Sequence, residues 1–323
     1  MRRAPWLRAA IRAGNELAHP RKSRARHNAI NLTCLAGLVL AIVGVLALST
    51  HVSAALYLAL APVVLGPLLF GVFVLVIHES SHAMFVLHRD RGTTRRWNHA
   101  IGDLTALLLF TEYRRHWAKA HPQHHQRPCE ADDVQYNHNY EGRELVGKLV
   151  LLALVPGYAL TLNPSRRYGA GPRVLVAIGL WLGFAAAASV WLAWTAPFAL
   201  LFGFNHLQIW NLQRKSQEHG AGLADEPDPL LRSCTWWSPV GWLGAPFNIN
   251  YHFEHHLNMV VPWYSLPEYH RRLLAIVPEP IQPLVFSGDY IGQLCHRRPQ
   301  YTPELMRLVT GEDELDELAE VVA

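Results

Sequence analysis

The chain has 323 residues, half of them apolar and 17% charged, with a net charge of +4 when histidine is neutral. The charged share lies below the roughly 25% of soluble domains, and the deficit is confined to two windows, residues 30–77 and 174–213, which contain no Lys, Arg, Asp or Glu. A membrane crossing needs about 20 apolar residues, so each window holds two, which excludes an ordinary soluble α/β enzyme, a disordered chain and a nucleic-acid-binding module.

Residues 1–28 form a basic arm. Arg2, Arg3, Arg8, Arg12, Arg21, Lys22, Arg24 and Arg26 face a single acid, Glu16. The apolar stretch that follows is too long for a signal peptide, so the arm reads as a cytoplasmic, partly amphipathic segment lying on anionic lipid. The first window divides at residues 49–53 into a helix over 30–48 and a second over 54–77 that runs on to residue 87. The second window divides at Thr195-Ala196-Pro197 into helices over 174–194 and 197–213. Asn205 and His206 inside the last of these suggest a functional face, because polar groups in lipid are costly. Two shorter apolar stretches, 101–110 and 149–162, fit interfacial helices, the second kinked at Pro156-Gly157.

All the Lys and Arg lie outside the windows, so the positive-inside rule places the arm, the 78–173 segment and the 214–323 tail in the cytoplasm. The expected fold is therefore an all-α integral membrane protein: four transmembrane helices in two pairs, both termini inside, with a cytoplasmic histidine-rich cap and interfacial helices. One membrane domain covers residues 29–275. Residues 276–323 form a cytoplasmic segment that ends in a solvated acidic tail.

The chain carries 19 His and only four scattered Cys, with no spacing that suits a zinc ribbon, an iron–sulfur site or a disulfide framework. Three clusters stand out: His78-Glu79-Ser80-Ser81-His82, His121-Pro122-Gln123-His124-His125 and His252-Phe253-Glu254-His255-His256. At this histidine content one HxxHH arises by chance roughly 0.06 times per chain, and two copies in ~0.2% of such chains. His78 and His82 share one helical face, about 6 Å apart along the axis. In HxxHH the first two histidines are i, i+3 and the third points about 100° away, so one triplet can serve two metal ions. Eight imidazoles exceed the three or four protein ligands of a zinc site. Shared between two ions, they suit redox-competent iron. Read alone, the first box is also HExxH, the zinc-protease motif with Glu79 as base, but that reading leaves the other two boxes unexplained. A histidine-rich transporter would place its imidazoles within the spans, and here most lie just beyond them.

These boxes, with the run Asn250-Tyr251-His252-Phe253-Glu254-His255-His256-Leu257 followed by Pro262, Leu266, Pro267 and His270, resemble the membrane fatty acid desaturase family over roughly residues 76–273. The resemblance implies two iron ions, dioxygen as co-substrate, and a further ligand at His219 in Glu218-His219-Gly220. The expected ligands are thus His78, His82, His121, His124, His125, His219, His252, His255 and His256. Glu79, His116, Asp132, Asp133, Glu254, Asn250 and His270 are candidates to orient them. The acyl-CoA branch of that family has an asparagine four residues before the late histidine, where this chain has Lys215. The implied activity is oxygen-dependent desaturation of a long acyl chain, with hydroxylation or ketolation of a lipid, carotenoid or alkyl substrate as the alternative. The implied partners are a membrane lipid or acyl substrate and a separate electron donor, a ferredoxin or cytochrome b5 with its reductase. A homo-oligomer is possible on this reading, and no nucleic acid is expected.

Overall fold

A computed structural model describes residues 4–18, 23–133, 135, 140, 142–162, 172–220, 223–226, 228–237, 244–287 and 303–310. The solvated acidic tail was expected over residues 303–323; Pro303–Thr310 instead forms a helix with Val309 buried against the protein, and the rest of the tail lies outside the described residues. The helices in chain order are α1 (Pro5–Leu17), α2 (Arg24–Ala47), α3 (Ala54–Val72), α4 (Arg91–Leu108), α5 (Tyr113–Ala120, continuing as His121–Gln126), α6 (Gly142–Leu154), α7 (Pro172–Trp191), α8 (Thr195–His219), α9 (His252–Leu257), α10 (Leu266–Leu274) and α11 (Pro303–Thr310). Two short strands, β1 (Thr235–Trp236) and β2 (Phe286–Ser287), pair in parallel.

Among the described residues three helices are long and apolar enough to cross a membrane: Arg24–Thr50, Ala54–Ser81 and Pro172–Trp191. On α2 and α7, Leu40, Val43, Leu175, Leu182 and Val190 are exposed, as a surface facing lipid rather than water would be. The helix expected over 197–213 is instead the longer α8. Its second half carries Asn205, Asn211, Arg214, Lys215 and Glu218, all buried. These groups are tolerable there because they meet protein, not hydrocarbon.

The central contact is α3 against α8. Leu65, Leu69 and Phe70 interleave with Leu200, Phe204 and Leu207 in the main core. Glycine permits the close approach: a Cβ on Gly66 would lie 2.3 Å from the His206 Cβ, and one on Gly203 would lie 2.9 Å from the Leu65 Cβ. Asn205 has a structural duty rather than a functional one. Its Nδ2 donates to Leu152 O (2.9 Å) and Val155 O (2.5 Å), and its Oδ1 accepts from Ala159 N (3.1 Å). These are the backbone groups freed where α6 ends at Pro156-Gly157, so the polar residue in α8 satisfies the expected kink.

The apolar face of α1 is spent on the protein. Ala10 and Ala13 pack with Phe253, Tyr269 and Leu273 in a second core under the cap. The Tyr269 hydroxyl donates to Ala10 O (3.0 Å), and a Cβ on Gly14 would lie 2.8 Å from that hydroxyl. The small side chains let α1 sit flush on α10, where a lipid-bound arm was expected.

Candidate metal centre

The first box closes α3. The helix widens to π geometry over Phe73–His78, resumes over Glu79–Ser81 and stops, rather than continuing to residue 87 as expected. Ala83 takes a left-handed backbone (φ 58°), which ends the helix. Asparagines satisfy the extended segment that follows. Asn31 Nδ2 donates to Phe85 O (2.8 Å), Asn28 Nδ2 to Leu87 O (2.9 Å), and Asn98 Oδ1 accepts from Phe85 N (2.9 Å). His27 Nε2 reaches Met84 O at 2.5 Å. The turn after His82 is thereby pinned to α2 and α4.

The second box also follows a π segment, Tyr113–Ala120, whose first turn is capped by Glu112 Oε2 accepting from Arg115 N and His116 N. π turns in α-helices often mark functional sites, and here each one sets the register of the imidazoles after it. The third box, α9, follows a left-handed pair, Phe247 and Asn248 (φ 58° and 56°).

All nine expected imidazoles converge. His78, His82, His121, His125 and His255 form one group, and His124, His219, His252 and His256 form another, with the ligand nitrogens of each within 4.8 Å of one another. The partition within HxxHH differs from the expected one. In each box the first and third histidines, i and i+4, share a group, while the second goes to the other. The reason is helical phase: i+4 is displaced by about 40° and i+3 by about 60° in the opposite sense.

The hydrogen bonds outside the groups fix the tautomers. Nδ1 of His121 donates to Gln135 Oε1 (2.9 Å), that of His124 to Asp133 Oδ2 (2.6 Å), and that of His219 to Arg232 O (2.8 Å). With Nδ1 carrying the proton, each Nε2 presents a lone pair. Yet His124 Nε2 and His219 Nε2 lie 3.1 Å apart, and two facing lone pairs cannot hydrogen-bond. The Nε2 atoms of His82, His125 and His252 also lie close, 2.8–3.2 Å from that of His121 or His219. Adjacent nitrogens bound to one metal at about 2.1 Å stand about 3.0 Å apart. In addition, His78 Nε2, His255 Nε2 and His256 Nε2 are buried without a hydrogen-bond partner. The donor set therefore fits two cations held by nitrogen.

Electrostatics agree. Burial first, then repulsion from the His124 imidazole, pushes His82 down to about 3. Burial and neighbouring imidazoles likewise hold His121, His125, His252, His255 and His256 well below the usual range. Neutral imidazole is the form that binds metal. For Asp133, burial works upward, but the His124 hydrogen bond and charge and the N–H groups of Gln135 and Cys129 outweigh it and hold the carboxyl below the usual carboxylate range.

The seven expected orienting residues divide. Asp133 grips His124 directly. Glu254 Oε1 accepts from His270 Nδ1 (2.5 Å) and its Oε2 from the Thr235 hydroxyl, which ties α9 to α10 and β1. Glu79 Oε1 lies 3.4 Å from His78 Nδ1, without a hydrogen bond there. The other three do not touch a ligand imidazole by hydrogen bond. Asp132 is exposed and pairs with Arg127. Asn250 Nδ2 donates to Trp236 O. His116 packs edge-on to Trp117 outside both groups.

Sequence reasoning missed Gln135 and the Arg214–Glu218 pair. Gln135 carries no spacing signal. Arg214 and Glu218 form a buried ion pair (2.6 Å), and Glu218 Oε2 lies 3.4 Å from His252 Nε2. Their signal was present in the i, i+4 spacing of opposite charges at the end of an apolar helix. A comparison with curated proteins finds no match. The profile of the fatty acid desaturase family matches residues 53–287, a span that contains every imidazole of both groups, and the chain belongs to that family.

Proposed function

We propose that this oxidoreductase of the desaturase and hydroxylase type is a di-iron, dioxygen-dependent desaturase of a long acyl chain. The observation that carries the reading is the pair of all-nitrogen imidazole groups at the ends of α3 and α8. Two irons there would supply the redox chemistry by which dioxygen, two external electrons and two protons, together with two hydrogens taken from adjacent carbons, end as two waters and a double bond. The chain's own part is positional. Asp133, Gln135 and the Arg232 carbonyl hold three imidazoles as Nδ1–H tautomers, and the buried Arg214–Glu218 ion pair lies beside His252. The α3–α8 core keeps water away beneath.

On this reading α8 is the fourth crossing, and both termini and the cap face the cytoplasm. A separate ferredoxin or cytochrome b5 supplies the electrons, and the exposed Arg89, Arg91, Arg95 and Arg96 give it a basic surface to approach. Expression in a host of known lipid composition, followed by lipid mass spectrometry, tests the proposal. A loss of two hydrogens supports desaturation, whereas a gain of one oxygen replaces it with hydroxylation at the same centre. No change in any lipid from a chain that holds zinc instead of iron overturns both. His255→Ala should abolish the product while folded protein persists, and retained activity would refute the ligand set.

A further inference from the structure

A line of ring side chains runs from the five-imidazole group toward the surface. Trp117 packs on the ring of His121, centroids 5.1 Å apart, and edge-on to that of His78 at 6.5 Å. The indole is 3% exposed. Tyr113 stands four residues earlier, about one turn along the same π segment, and shares its core. Its ring is fully buried, yet its hydroxyl donates to His99 Nδ1 (3.4 Å). His99 lies half-buried on α4, about one turn after the exposed Arg95 and Arg96. At Gly102 the same helix has no side chain to obstruct the phenol: a Cβ there would lie 2.4 Å from Tyr113 Cε2.

Indole and phenol differ from the leucine and phenylalanine packed around them in what they can give up. Each loses one electron without any break in its carbon skeleton. A buried phenol loses it only together with its proton, because the charged form is strongly acidic and poorly solvated in a dry core. Tyr113 has a proton acceptor in place, and imidazole is the side chain suited to taking a proton and returning it. The order outward from the metal seat, indole, phenol, imidazole, ends on the basic surface proposed above for the electron donor.

Building on the function proposed above, we infer that Trp117 and Tyr113 form a relay that drains oxidising equivalents from the metal centre when no C–H bond is in place to receive them. Trp117 gives one electron to the oxidised centre. Tyr113 returns one electron to Trp117, and as its O–H bond breaks the proton moves to His99 Nδ1, which leaves a neutral tyrosyl radical and an imidazolium. The external donor at the basic surface restores the electron to Tyr113, and His99 hands back the proton. The net transfer is one electron from the donor to the centre, with every side chain returned unchanged. The ligand imidazoles are thereby spared oxidation.

The test is electron paramagnetic resonance on the full chain, iron-loaded, in fluorinated-detergent micelles that offer no oxidisable chain. One equivalent of hydrogen peroxide, which is reduced to water, supplies the oxidising equivalents, and the sample is frozen within milliseconds. The wild-type chain should give a tyrosyl radical that narrows when the protein is made with ring-deuterated tyrosine. Tyr113→Phe should replace it with a tryptophanyl radical, Trp117→Phe should abolish both, and Trp117→Tyr should restore a tyrosyl signal. After repeated peroxide, peptide mass spectrometry should find more oxygen added to His78 and His121 in Trp117→Phe than in wild type. Absence of a protein radical in the iron-loaded wild-type chain overturns the inference, and that measurement needs no variant. A tyrosyl radical that survives in Tyr113→Phe or Trp117→Phe overturns it too. So does a Trp117→Phe chain that loses its iron, since the indole would then serve only to pack the metal seat. Iron content, measured first, separates the two readings: a wild-type chain without iron ends the desaturase reading and the relay with it, whereas an iron-loaded chain without a radical ends the relay alone.

Discussion

Asp133→Asn is the sharpest probe of how the cap holds its imidazoles. The carboxylate is buried. Its Oδ2 accepts from His124 Nδ1 at 2.6 Å and from Cys129 N at 3.0 Å, and its Oδ1 accepts from Gln135 N at 2.8 Å. Gln135 in turn accepts from His121 Nδ1 at 2.9 Å. One carboxylate thus orients an imidazole in each group, the first directly and the second through its neighbour. Asparagine keeps the volume, removes the charge and offers one acceptor oxygen for three N–H donors. Its amide nitrogen must face at least one of them. Loss of such an outer partner costs about 10–100-fold in metal affinity, or about 1.4–2.8 kcal/mol. The assay is iron titration of the purified chain against a competing chelator, with Asp132→Asn as control because Asp132 is exposed and, among the described residues, pairs with Arg127. An Asp133→Asn affinity within about twofold of wild type would refute the tautomer argument, and so would an equal loss in Asp132→Asn.

Two further outcomes are expected. Gly66→Ala places a Cβ 2.3 Å from the His206 Cβ and 2.9 Å from its backbone carbon, so α3 and α8 must part. Overpacking of this kind costs about 1–3 kcal/mol and should lower the thermal midpoint in detergent, whereas Gly37→Ala on α2, with open space around it, should not. In the metal-free chain, acid should destabilise the cap. The unfolded imidazoles take up protons below about 6.5, but the folded His82 resists down to about 3. Stability is therefore complete above about 6.5 and falls toward 3, by up to about 1.4 kcal/mol per pH unit for each such group. Circular dichroism melts across that range measure it, and a flat profile would show that the imidazoles are not desolvated.

Residue spacing made much of this site legible. The ligand histidines announce themselves because metal binding demands repeats that chance seldom supplies, and the charge-free windows announce the helices that carry them. What stayed hidden depended on contacts between distant segments. Nothing local marks Ala83 as the end of α3, since the turn is imposed by Asn28, Asn31 and Asn98 from other helices. Gln135 is an ordinary loop residue until the fold sets it beside His121. Asn205 did break the apolar pattern, but its partners were the backbone groups of a kink 50 residues away in sequence. The division of each HxxHH turned on the difference between about 40° and about 60° of helical phase, which is below what a pattern of letters conveys.

The crossed sharing of imidazoles has a thermodynamic consequence. α5 gives two nitrogens to the first group and one to the second, and α9 does the reverse. Whatever fixes α9 against α5 for one cation also fixes it for the other. The first ion to arrive bears the ordering entropy of both helices, and the second finds its seat already assembled. On the proposed reading loading would therefore be positively cooperative, and by reciprocity loss of either ion would weaken the hold on its neighbour. The cap would then pass between empty and doubly filled with little in between, so a chain short of iron would not linger in a half-equipped state.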